Sequence, residues 1–234
     1  MKIVICLCIM LLIGLAGCQT NYVKDIEGNK YRTVTIGTQI WMAEDLKTTR
    51  YNDGTLIPHV TKNDDWAALT SPAYCWYNND STNQEEYGAL YNWYTVNTDK
   101  LCPEGWHVPT DEEWNILMSN FGDSGIAGGA LKETGTLHWK SPNTGATNES
   151  GFTALPGGYR SYKGTCNLLR AYGFWWSSTA RAWYNTRDNP PTTVIFRSMR
   201  YKTSNLFRHI SEQSNGFCVR CIMDQKVTAE DPGT

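Results

Sequence analysis

No strong charge of either sign marks this sequence: 21 basic residues stand against 23 acidic ones, a formal net charge of −2. A dedicated nucleic-acid binder normally carries a basic stripe, so the near-balance argues against nucleic acid as a partner. Beyond residue 17 no apolar run is long enough to cross a bilayer. Internal repeats and a boundary-like linker are also missing, which favours one domain. Chemical signatures are equally sparse. No GxSxG nucleophile elbow occurs. The glycine cluster GIAGGALKETG lacks the GxGxxG order and has no clear parallel βαβ unit around it. His107 has no HxxH or HExxH partner, so it reads as a strand histidine and not a metal ligand. The oxygen-rich stretch from Asn78 to Glu86 lacks the EF-hand glycine and spacing, and reads as a turn before a helix. Neither a metal nor a cofactor is expected. A glycosidase's carboxylate pair would leave no such trace, because its separation is set in space.

What is present begins with MKIVICLCIMLLIGLAGC. Lys2, an apolar run from Ile3 to Leu12, and Leu15-Ala16-Gly17 before Cys18 make residues 1–17 a secretory signal. Leu-Ala-Gly-Cys closely resembles the bacterial lipobox, which makes Cys18 the lipidated first residue of the mature chain. Acyl chains then anchor the protein to a membrane that it does not cross. Gln19 occupies the position where Asp commonly retains a lipoprotein at the inner membrane, so the outer membrane is expected. Residues 18–30 are polar and read as a tether, 31–224 as the domain, and 225–234 as a disordered tail. Loss of the signal removes Cys6 and Cys8, and acylation uses Cys18. Five cysteines remain: Cys75, Cys102, Cys166, Cys218 and Cys221. Export permits disulfides, and the odd number leaves at least one thiol unpaired within the chain.

Along the chain, YRTVTIGTQIWM alternates around Gly37 as a β-hairpin would, and Ala73–Tyr77 reads as a short strand. EEYGALYNWYTV places Tyr87, Leu90, Tyr91 and Tyr94 at helical spacing. In CPEGWHVPTDEEW, Thr110 and Glu113 fit the capping box, so the acids there are helix-start chemistry. Trp114, Leu117, Met118 and Phe121 then give the buried stripe. The second half is glycine-punctuated and loop-rich, with short strands expected around Phe174–Ser177, Val194–Arg197 and Gly216–Ile222. Cys218-Val219-Arg220-Cys221 lies in the last of these. On a strand the two sulfurs face opposite sides, which argues against a redox CxxC or half a zinc site.

IGTQIWMAEDLKTTRYNDG, GALYNWYTVNTDKLCPEGWHVPTDEEW, ALPGGYR, GFWWSST and GFCVRC occur in an order that resembles the Fibrobacter succinogenes major paralogous domain over roughly residues 25–224. More distantly, HVPTDEEW, GGYR and GF-x-V-R-C are similar to formylglycine-generating enzymes. That wider resemblance implies an α+β, C-type-lectin-like fold: a twisted antiparallel sheet, two helices and a long loop-rich excursion. Those enzymes use a cysteine pair near the GGYR-like segment, where this chain has only Cys166. The calcium-site triplets of sugar-binding C-type lectins, WND with EPN or QPD, are absent. Against the family pattern Cys166 and Cys218 are both departures, which implies that they pair with each other. Cys102 and Cys221 are then the other expected pair.

The remaining candidate for chemistry is an aromatic surface. Tyr159, Tyr162, Tyr172, Trp175, Trp176, Trp183 and Tyr184 crowd into the loop-rich half with Arg160 among them. Neighbours on a strand face opposite ways, so Trp175 and Trp176 cannot share one core, and one of them is expected to be exposed or to line a groove. Trp175, Trp176, Trp183, Tyr159 and Arg160 are therefore the expected ligand-binding residues, with half-buried packing under loops as the competing reading. The sequence supports a lipid-anchored envelope protein acting as a non-enzymatic binding or adhesion module, for glycans ahead of proteins. An enzyme acting on envelope or extracellular polymers and a structural envelope component are the alternatives.

Overall fold

The structure is a computed structural model and describes residues 21–181 and 193–225. Strand β1 (Tyr22–Lys24) pairs antiparallel with β2 (Lys30–Ile36). The end of the expected tether is thus a strand, because Asp25 gathers the intervening turn. Its carboxylate accepts from the Glu27 and Asn29 amides and, at 2.7 Å, from the Tyr31 hydroxyl. The alternation around Gly37 produces the expected hairpin of β2 with β3 (Gln39–Met42), Val34 lying opposite Trp41. Helix α1 (Asn63–Ala67) buries Trp66, and β4 (Tyr74–Cys75) follows it.

EEYGALYNWYTV is not one helix despite its spacing. Helix α2 (Gln84–Tyr87) stops at Gly88, whose φ of +69° costs a glycine little. A Cβ at that position would lie 2.7 Å from the Leu46 carbonyl oxygen. The chain continues as β5 (Leu90–Asn92) and then α3 (Trp93–Val96), whose N-cap Asn92 accepts from the Thr95 amide. After β6 (Trp106–His107), α4 (Asp111–Ser119) is the longest described helix at nine residues. Its capping box is complete: Thr110 accepts from the Glu113 amide and Glu113 accepts from the Thr110 amide. Trp114 and Leu117 are buried as expected, while Met118 and Phe121 are partly covered. Helix α5 (Ala127–Leu131) holds the glycine cluster.

The second half supplies β7 (Tyr159–Arg160), β8 (Cys166–Asn167), β9 (Tyr172–Arg181), β10 (Thr193–Arg200), β11 (Phe207–Glu212), β12 (Gly216–Phe217) and β13 (Ile222–Met223). Three antiparallel sheets result, ordered β1-β2-β3-β13-β6, β11-β10-β9 and β4-β5-β12-β7-β8. Mostly antiparallel sheets with a few short helices make this an α+β or mainly β architecture. The expected single strand Gly216–Ile222 is broken: β12 ends at Phe217 in the third sheet and β13 begins at Ile222 in the first, because the chain between them crosses from one sheet to the other.

Two apolar clusters form the interior, and β9 lies between them. Trp176 belongs to the cluster with Tyr91, Phe196, Phe217 and Val219. Trp175 belongs to the other, with Trp41, Trp114, Phe152 and Cys218. A strand buried on both faces hides both of its tryptophans, and the expectation that one is exposed fails for that reason. Trp175 donates to Asp45 Oδ1 at 2.9 Å and Trp176 to the Tyr91 carbonyl at 2.7 Å, so neither indole N–H is left unpaired. Gly173 makes room for the first ring, since a Cβ there would sit 2.1 Å from it.

Candidate functional site

On β9 the residues Tyr172, Phe174 and Trp176 alternate with Gly173, Trp175 and Ser177. The first set faces β10 and β11 residues of the same sheet face. Trp176 packs behind, against Phe196 and Phe217, while Tyr172 and Phe174 line the groove itself. The two rings stack at 5.7 Å with 7° between planes. Phe174 also stacks on Phe217 of β12 at 5.3 Å, and Tyr159 of β7 closes on it at 5.0 Å. Three sheet elements therefore deliver rings to one place, and a groove of about 570 Å³ opens over them. That size suits a small or oligomeric ligand.

The groove has a polar rim. Arg200, opposite Tyr172 in the β9–β10 register, lies 5.3 Å over the Tyr172 ring and 4.2 Å over Phe207. Its Nε is buried and has no hydrogen-bond partner among the described residues. His209 on β11 stacks on Phe196 at 5.1 Å. Burial, then the Arg200 and Arg197 charges, push its pKa below the ordinary histidine value, so its ring is neutral near pH 7. Asn215 accepts from the Tyr162 amide at 2.7 Å and donates to Ser211, which fixes the segment carrying the exposed Tyr162 ring at the edge. Glu212 is the one carboxylate among the described lining residues. Such a surface offers flat rings for stacking, a cation, a neutral imidazole and an amide for hydrogen bonding, and no converging pair of carboxylates for acid–base chemistry.

Of the expected ligand residues that the structure describes, only Tyr159 lines this groove. Trp175 and Trp176 are core, and Trp183 lies outside the described residues. Arg160 is fully buried, donating to the carbonyls of Gly164, Val60 and Thr61 at 2.7–2.8 Å, with its guanidinium 4.5 Å over Trp66. It staples loops together and cannot meet a ligand. Arg200, His209 and Asn215 did not stand out in the sequence. The alternation Phe207-Arg208-His209-Ile210 is the signal that places His209 with Phe207 on one face of a strand. Cys18 lies outside the described residues.

The structure joins Cys102 to Cys221 across 119 residues. The expected Cys166–Cys218 bond is not formed. Cys218 sits buried in the second apolar cluster, in the segment between β12 and β13, whereas Cys166 lies on β8 at the far edge of the third sheet, next to the segment that follows β4. Cys218 and Cys221 do face opposite clusters. His107 lies between two carboxylates, Nε2 at 2.8 Å from Glu113 and Nδ1 at 2.6 Å from Asp224. Those bonds, the Glu113 one foremost, push its pKa up to about 9 against the opposing effect of burial. The cluster caps a helix and pins the end of the described chain.

An antiparallel domain whose closing segment passes between two sheets, with an aromatic groove over the β11-β10-β9 sheet, is what the geometry defines. Residues 34–223 match the Fibrobacter succinogenes major domain, and the chain belongs to that family. No curated protein and no solved structure matches the chain significantly.

Proposed function

We propose that this protein is a lipid-anchored cell-envelope binding module of C-type-lectin-like type, and that the aromatic groove seats its ligand without catalysing a reaction. One observation carries the reading. Tyr159, Tyr162, Tyr172 and Phe174 converge on one groove whose polar rim of Arg200, His209, Glu212 and Asn215 contains a single carboxylate. Aromatic faces stack against the apolar C–H faces of sugar rings, and the rim groups match hydroxyls, so glycans are the ligand class. Helix α4 beside curled antiparallel sheets, with a loop-rich second half, supports the lectin-like reading of the fold. The lipobox-like Leu15-Ala16-Gly17-Cys18 supports acylation of Cys18, and Gln19 supports an outer-membrane address. The test is a glycan and peptide array probed with the purified protein. Glycan binding that Tyr172→Ala removes supports the reading, peptide binding at the same residues changes the ligand class, and silence on both favours a structural component.

A further inference from the structure

The third sheet begins at β4 and ends at β8, yet its two edges approach each other. Cys166 of β8 packs against the buried cluster that contains Cys75 of β4, and the Asn78 amide just after β4 donates to Cys166 Sγ at 3.2 Å. Cys75 is fully buried, whereas Cys166 is partly open to solvent. Arg160 is paired with Cys166 in the β7–β8 register, and its buried positive charge favours the thiolate form of both cysteines. These observations describe two unlike thiols. The open one accepts from a backbone amide, as suits a thiolate, and the closed one lies in the cluster packed beneath it.

From this geometry we infer that Cys166 and Cys75 form a thiol–disulfide exchange site for low-molecular-weight disulfides, with Cys166 as the attacking sulfur and Cys75 as the resolving one. The Cys166 thiolate attacks one sulfur of a disulfide RSSR, forming a Cys166–S–S–R bond and releasing RS⁻. Cys75 then gives up its proton to the released thiolate and attacks Cys166 Sγ. The Cys75–Cys166 bond forms, the bond to the second R–S group breaks, and that group takes a proton from water to leave as RSH. Two protein thiols are oxidised to one disulfide while RSSR is reduced to two RSH. Charge placement agrees: the hydrogen bond from Cys75, then the Asn78 amide and Arg160, bring Cys166 down to about 7 against burial, while burial holds Cys75 well above the ordinary thiol value. The product bond would stitch the first strand of this sheet to its last.

The experiment incubates the purified protein, its Cys102–Cys221 bond intact, in glutathione buffers of rising oxidised fraction, followed by acid quench, alkylation and peptide mapping. The expected result is a glutathione adduct on Cys166 that precedes a Cys75–Cys166 disulfide, with Cys218 recovered as an alkylated thiol throughout. Cys75→Ser should accumulate the Cys166 adduct, and Cys166→Ser should lose both products. The order of appearance in the unmodified protein gives the same answer if either variant fails to fold. Recovery of Cys75 and Cys166 as thiols in the most oxidising buffer overturns the inference, as does a first adduct on Cys75 or Cys218.

Discussion

Arg220 and Asp45 form an ion pair buried in the interior. Arg220 Nε meets Asp45 Oδ1 at 2.7 Å with both side chains at 2% exposure or less, and Trp175 donates to the same carboxylate oxygen. The other guanidinium nitrogens reach the Phe152 and Thr153 carbonyls. Removing one partner strands a buried charge, so Arg220→Met should lower stability by about 3–5 kcal/mol in urea unfolding. A second residue-scale test uses pH. His107 is pushed up to about 9 in the folded chain, above its ordinary value near 6.5. The native state therefore holds that proton more tightly than the unfolded one. Its contribution to stability is complete below about pH 6.5 and is lost as pH rises through about 9. The stability difference between the protein and its His107→Gln variant should accordingly be larger at pH 6 than at pH 10. An equal difference at both would contradict the ion-pair geometry. His107 is more than a third exposed, and solvent screening keeps the effect modest.

At the scale of elements, local signals were legible wherever a residue's neighbours in sequence decide its conformation. The hairpin at Gly37 and the Thr110–Glu113 capping box are of that kind, and both stand as read. What failed depended on which other segments cover an element. Tyr87, Leu90, Tyr91 and Tyr94 kept helical spacing, but Gly88 and the Leu46 carbonyl pressed against it split the segment into helix, strand and helix. Trp175 and Trp176 were assigned to opposite faces correctly. Whether each face is covered is a tertiary fact, and no local pattern carries it. Neither cysteine pairing was a local signal. Cys102–Cys221 spans 119 residues and was expected from the family resemblance, while the neighbouring segment of Cys166 follows β4, which only the curl of the third sheet brings near. Removing the Cys102–Cys221 bond by a Cys102→Ser, Cys221→Ser double change should cost about 4–5 kcal/mol in the chain-entropy account, read as a fall in the denaturation midpoint. An unchanged midpoint would show that the bond constrains nothing in the unfolded chain.

For the whole molecule, the segments that carry the family resemblance turn out to build the scaffold. Asp45 of WMAEDL, Arg160 of ALPGGYR, Trp175 of GFWWSST and Arg220 of GFCVRC are all buried and hydrogen-bonded to one another or to backbone carbonyls. Arg200, His209 and Asn215, which give the groove its polar rim, lie outside those segments. The groove draws on both sets: its rings Tyr159, Phe174 and Phe217 come from ALPGGYR, GFWWSST and GFCVRC themselves, whereas its polar rim does not, so the rim is the part that the scaffold segments do not dictate. The proposed anchor belongs to this scale too. Cys18→Ser should leave the precursor uncleaved and unlabelled by a fatty-acid analogue in cells, and continued labelling would refute acylation at that position.

The groove itself is open to a direct measurement. Tyr172 and Tyr162 line its surface end, so truncating them should remove little of the core, in contrast to the fully buried Trp176. Thermal unfolding and array binding, measured together on the protein and on its Tyr172→Ala and Tyr162→Ala variants, separate a seat from a wall. The predicted result is glycan binding by the unchanged protein, a loss of about tenfold or more in affinity on truncating Tyr172, as expected for a central aromatic anchor, and a melting temperature within a few degrees in every case. Undiminished binding by both tyrosine variants, with their folds intact, would contradict the account.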